Sequence, residues 1–246
     1  NKKVTFTSFG TGINTAYVFL YSPDDNQEYQ LDGGTGVSTA GDGTAQDMNV
    51  SSVPDAKSNS CVIRVRDTQV KANAKIEAES GTFKAYPVIS GVAITPTNPP
   101  NMSGVWITGT TNQQVTWSVN GSSQIDAVNI YYSSTGEGGF NYATPIISNW
   151  ATQGSCNTIT IPSTRTTQAR IAVRDADSNF KDNVNAITAV NFRVAGKINI
   201  NKPDTTSKWQ VGATDKLIKW TYDGDISAVD IYIDYGLGQG YESLAP

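Results

Sequence analysis

The sequence predicts an all-β protein built from sandwich units in series, and three observations carry that expectation. Leucine occurs only at positions 20, 31, 217, 237 and 244, so the stretch 32–216 lacks the commonest helix-building core residue. Val, Ile, Thr, Tyr and Trp take its place, which suits a half-buried pleated surface, and Gly, Asn, Ser and Asp recur between the apolar runs as turns require. The octet SCVIRVRD at 60–67 returns almost unchanged as QARIAVRD at 168–175, 108 positions later.

Aligning the two octets draws other segments into register. VTFTS at 4–8 matches VTWSV at 115–119 and LIKWT at 217–221, with an aromatic at Phe6, Trp117 and Trp220. AYVFLYS at 16–22 aligns with AVNIYYS at 127–133 and AVDIYID at 228–234. VSSVP at 50–54 matches TITIP at 158–162, and GTFKA at 81–85 matches VNFRV at 190–194. Trp106, in VWITG, matches Trp209, in KWQVG. The segments alternate with period two: Cys61, Ile63 and Val65 share one face, as do Ala169, Ile171 and Val173. Such alternation puts one face on a core and the other toward water.

Roughly seven short strands fall in each repeat of about 100 residues, the signature of an immunoglobulin-like or fibronectin-III-like sandwich. The octet is then the sixth strand of consecutive sandwiches. Three units are expected, at 1–91, 92–196 and 197–246, the first without a Trp-bearing opening strand and the last with only its first three strands. Phe6, Trp106, Trp117, Trp209 and Trp220 are the expected core aromatics. Burial of a large side chain contributes about 1.5–3 kcal/mol. In the incomplete third unit, Trp209, Trp220, Ile231 and Ile233 would face water unless the chain is a window cut from a longer array or another chain completes the ends.

The residues Pro203, Trp209, Gly212, Ile218, Trp220, Val229 and Ile231, with Trp106, Trp117, Pro162, Val173, Asp175 and Phe192 in the second unit, carry a family resemblance. The pattern resembles the Ig-like repeats of large bacterial secreted and surface proteins, which are related to a domain of fungal cell-wall synthesis proteins. The resemblance spans the chain but rests on core and turn positions. It implies the fold and an extracellular or cell-surface setting, and it carries no catalytic residues.

Composition narrows the function classes. Net charge is −4, so no basic footprint for nucleic acid or anionic lipid is visible. No apolar run reaches the 18 or so residues needed to span a bilayer. The chain contains no histidine, which rules out a Ser-His-Asp or Cys-His arrangement and removes zinc's commonest nitrogen ligand. Cys61 and Cys156 are too few for a disulfide scaffold and fall in different units, so they are expected not to pair. Sequons occur at Asn49, Asn101 and Asn120. GLGQG at 236–240 has no helix to follow and reads as a hairpin, not a phosphate loop.

Two candidate sites remain. DADSNFKD at 175–182 places oxygen ligands at Asp175, Asp177, Asn179 and Asp182, a weak calcium candidate lacking the EF-hand glycine and glutamate. It sits in the loop of the second unit that faces the first. The second candidate is Val18, Leu20 and Val62, which on the alignment above form an outward apolar strip and hence an interface with another unit or copy. The expected function is a non-enzymatic structural segment of a long extracellular protein, a stalk, adhesin shaft or filament, whose partners are neighbouring Ig-like units or another copy. The alternative is an ancillary carbohydrate- or cell-wall-binding module of a secreted enzyme, with Tyr131, Tyr232 and Trp150 stacking on a cell-surface glycan.

Overall fold

The computed structural model describes residues 2–10, 12–67, 77–95, 104–121, 124–151, 154–236, 238 and 240–244. Its described residues contain strands and turns and no α-helix. Asn101 and parts of GLGQG lie outside the described residues; Asn49 and Asn120 are exposed.

The first unit contains β1 (Lys2–Phe9), β2 (Thr15–Ser22), β3 (Gln27–Gln30), β4 (Val37–Ser38), β5 (Asp42–Val50), β6 (Ser58–Asp67), β7 (Glu77–Glu79) and β8 (Phe83–Ala85). One sheet is the antiparallel pair β1–β5, with Val4 opposite Met48. The other runs β3–β2–β6–β7, with β4 beside β2 and β8 beside β6. Between them Leu20, Ala56, Cys61 and Ala85 form a small core, with Tyr29, Leu31 and Ile63 packed against it.

The second unit contains β9 (Val88–Thr95), β10 (Val105–Ile107), β11 (Gln113–Asn120), β12 (Ala127–Ser133), β13 (Ile147–Ala151), β14 (Ser155–Ile159), β15 (Thr166–Asp175), β16 (Asn185–Ile187) and β17 (Phe192–Ala195). β9 pairs with β11, so this sandwich starts at Val88, ahead of the boundary expected at 92. Its sheets are β14–β11–β9 and β10–β17–β15–β12–β13. Strand β10 runs parallel to β17, placing Trp106 opposite Val194 and its ring edge-on to Phe192 with centroids 4.9 Å apart. Trp106 and Trp117 are buried with Val115, Val128, Ile130, Ile159, Ala169, Ile171 and Val173 in one continuous core.

The third unit contains β18 (Lys197–Lys202), β19 (Lys219–Asp223), β20 (Tyr232–Ile233) and β21 (Glu242–Ser243), in two two-stranded pieces. Ile198, Ile200, Ile218, Trp220, Val229 and Ile231 line an open hollow of about 470 Å³. The five expected core aromatics therefore divide. Trp106 and Trp117 are core, Phe6 and Trp220 are only half-buried, and Trp209 is exposed. The reason is geometric, since β1 and β19 each pair with a single strand and no strand lies over Trp209 among the described residues.

The expected apolar strip is corrected outright. Val18 and Leu20 are buried in the core and Val62 is half-buried. Ala16 pairs with Asp67 as Val128 pairs with Asp175, so β2 is displaced by one residue from the alignment that matched Ala16 to Ala127. A one-residue slip exchanges the two faces of a strand, because side chains alternate with period two. The outward row is Tyr17, Phe19 and Tyr21, and it is roofed by charge. Arg66 bonds Glu28 and Glu77, and Arg64 bonds Glu79 at 2.7 Å. The Arg64 guanidinium lies 3.7 Å from the Tyr21 ring centroid and that of Arg66 4.8 Å from Phe19. Partial burial raises the Glu28 pKa, but the hydrogen bonds and charges of Arg66 and Arg64 outweigh it and hold the carboxyl below its usual range.

Candidate functional site: the junctions between units

The loop after β15 is built by its own short polar side chains. The Asp177 amide donates to Asp175 Oδ1 at 3.0 Å, and the Asn179 amide to Asp177 Oδ1 at 2.9 Å. These successive Asx turns fold the chain back so that Phe180 drops into the core beside Val184. Arg174, at the end of β15, donates to the Lys181 carbonyl at 3.0 Å and to the Asp182 carboxylate.

Into this loop reaches Lys57, from the turn between β5 and β6 of the first unit. Its Nζ lies 2.8 Å from Asp175 Oδ2, 3.4 Å from Asp177 Oδ2 and 4.8 Å from the Phe180 ring centroid. Tyr86, just past β8, meets Phe180 edge-on at 6.0 Å and donates its hydroxyl to Asn59 Oδ1 at 2.7 Å. The Lys57 and Asp175 side chains are 11% and 2% exposed, so this is a buried pair. Its Coulombic gain is offset by desolvation, but removal of either partner strands a charge in a dry site. The ring contact adds about 0.5–2 kcal/mol.

The calcium expectation does not fit this geometry. Calcium takes six to eight oxygens at about 2.3–2.6 Å. Asp175 is committed to the Asp177 amide and Lys57, Asp177 to the Asn179 amide, and Asp182 turns to Arg174. Asp175 and Asp177 converge on the Lys57 ammonium while Asp182 turns away from it, and no group of three or more His, Cys, Asp or Glu side chains that could hold a metal occurs among the described residues. A lysine ammonium from the neighbouring unit stands where a cation was expected.

The second junction repeats the device with other atoms. Arg165 follows Pro162 by three positions, as Lys57 follows Pro54. Its amide and Nε donate to Asp225 Oδ1 at 3.1 and 3.0 Å, and its guanidinium donates to the Asp225 carbonyl at 3.1 Å. The Arg165 backbone amide and then its guanidinium hold the Asp225 carboxyl below its ordinary range. This pair is open to water, at 46% and 60% exposure. A glycine in the same turn of each following unit allows close approach. A Cβ on Gly121 would stand 2.6 Å from Asp55 Oδ1, and one on Gly224 2.9 Å from Thr108 Oγ1. Both have positive φ, +85° and +96°, where a side chain is strained.

Sequence reasoning placed the acidic loop beside the first unit but missed Lys57 and Arg165. The signal was present as a cation three residues after each aligned proline. The glycan candidates do not share a surface. Tyr131 is buried against Tyr142, whose centroid is 5.1 Å away, and Trp150 is partly buried with Nε1 donating to the Ser155 carbonyl at 2.8 Å. Tyr232 is exposed on β20 of the third unit. Cys61 and Cys156 are both buried free thiols, and burial pushes the Cys61 pKa up. Among the described residues no helix is long and apolar enough to cross a membrane. No protein-family model matches the chain, and no curated protein matches it.

Proposed function

We propose that the chain is a structural segment of a long extracellular or cell-surface protein, in which immunoglobulin-like units in series form a stalk, adhesin shaft or filament without catalysis. One observation carries the reading: Lys57 and Arg165, at matching places in successive units, each grip an aspartate of the unit that follows. A protein that transmits force or holds a spacing needs fixed junctions, and a junction encoded within the repeat is copied with every unit. The units keep separate cores, so their stabilities should add along the array.

Small-angle scattering of the protein and of Lys57→Ala tests this. A single inter-unit geometry in the parent, replaced by a broadened distribution in the variant, supports the reading. Equal flexibility in both would refute it.

A further inference from the structure

We infer that Lys57 and Asp175 condense to an amide crosslink joining the first unit covalently to the second, with Asp177 as the proton carrier. The inference deepens the reading of the chain as a structural array and rests on it, since it makes a held junction permanent. Such a condensation needs proximity, dryness and a group to carry protons, and the junction supplies all of them. Lys57 Nζ stands 2.8 Å from Asp175 Oδ2 and 3.4 Å from Asp177 Oδ2. Asp175 Oδ2 is sealed from water, and despite the closeness of Nζ it accepts no hydrogen bond among the described residues. The ammonium therefore meets this carboxylate off hydrogen-bonding angles, with Cγ one bond further on. Groups fixed in a near-attack geometry react as if at about 10⁵–10⁸ M, enough to carry a condensation that free amines and acids in water do not complete. Phe180, its ring centroid 4.8 Å from Nζ, covers the site with Tyr86 edge-on to it.

Burial drives the reaction forward. The ion pair bears the desolvation of two charges, whereas the amide is neutral, so condensation removes that penalty. Asp177 takes one proton from the Lys57 ammonium, and the bared Nζ lone pair forms a bond to Asp175 Cγ. Asp177 then hands its proton to Oδ2, and the nitrogen gives up a second. The Cγ–Oδ2 bond breaks and the oxygen leaves as water. One ammonium and one carboxylate become one amide and one water, with Asp177 unchanged. The product's polar atoms already have partners. Asp175 Oδ1, which becomes the crosslink carbonyl, accepts the Asp177 amide at 3.0 Å, and Asp177 Oδ2 faces the new N–H. The lysine pairs Lys3–Asp47 and Lys202–Asp204 are open to water and lack this setting. At the second junction an arginine stands in the lysine's place, and its guanidinium stays charged, so Arg165–Asp225 remains a salt link.

The test is the intact mass of the 246-residue polypeptide, folded and then denatured, together with a tryptic digest. The parent is expected one water lighter than its sequence. Trypsin should release 4–64, uncut after Lys57, joined to 175–181 as one branched peptide. That peptide is read in the parent itself and needs no variant to fold. Lys57→Arg, which keeps the charge, should restore the full mass. In freshly synthesised Asp177→Asn the water should be lost at least ~100-fold more slowly, as removal of a proton carrier requires. The inference is overturned if the parent has its full mass or yields no branched peptide. It is overturned equally if Lys57→Arg keeps the deficit, which would place the water loss elsewhere, as in ring closure at Asp223–Gly224. Loss at the parent rate in Asp177→Asn would overturn the role given to Asp177. A full-mass parent that still shows a single inter-unit geometry in scattering would leave the proposed structural role standing, so the two failures are distinguishable.

Discussion

The first and second units share their central strands and differ in what closes them. β2 and β6 pair as β12 and β15 do, with inward Val18, Leu20 and Ile63 matching Ile130, Tyr132 and Ile171. In the second unit the Trp106 strand plugs the side between the two sheets, and one core runs through. In the first, the buried cluster is only Leu20, Ala56, Cys61 and Ala85, with Val18 buried outside it, and Phe83 stands at an open groove. Paired strands alone do not close a sandwich.

The largest break in this comparison is Trp106→Ala, expected to cost the second unit about 3–5 kcal/mol in denaturant unfolding while the first unit keeps its own transition. A loss shared by both units would show that their cores are not separate. Next comes Lys57→Ala, which leaves Asp175 buried without its cation and should cost about 3 kcal/mol. Arg165→Ala, at an exposed pair, should cost about 1 kcal/mol or less. Thermal unfolding of the two variants side by side reads this contrast, and equal losses would contradict it.

The corrected face of β2 is sharpened by Val18→Ala, which removes buried methyl groups and should cost about 2 kcal/mol. Val62→Ala should fall within about 0.5 kcal/mol of the parent. The smallest effect expected is alkaline. Burial pushes the Tyr132 hydroxyl up to about 12, and burial followed by the nearby Asp25 does the same for Tyr29. A folded-state pKa above the unfolded value of about 10 stabilises below pH 10, and that contribution is lost as pH rises toward 12. Unfolding scans across this window should show falling stability, flattened in Tyr132→Phe. An unchanged slope in that variant would place the titration elsewhere.

How much could be read beforehand depended on the range of the interaction. The strands around 61–65, 115–117 and 169–173 were legible because alternation is a local property of the chain. The face of β2 was not. Its outer and inner rows are both apolar, Tyr17, Phe19 and Tyr21 against Val18 and Leu20, so the pattern carried no register. Only the pairing of Ala16 with Asp67 chose between them. The candidate site was half legible. The acidic loop announced itself by composition, but its partner lies more than 100 positions away in sequence.

The sequence by itself determined the all-β class and the spacing of the repeated strands, because each follows from side-chain periodicity, whereas which of the five aromatics are buried was decided by the strands that pair around them. Tertiary structure alone decided which face of β2 is core, that Asp175 and Asp177 hold Lys57 while Asp182 turns to Arg174, and that Phe83 borders an open groove. Each of those outcomes depends on which distant strand or charge arrives at a given place, and local chemistry does not specify that arrival.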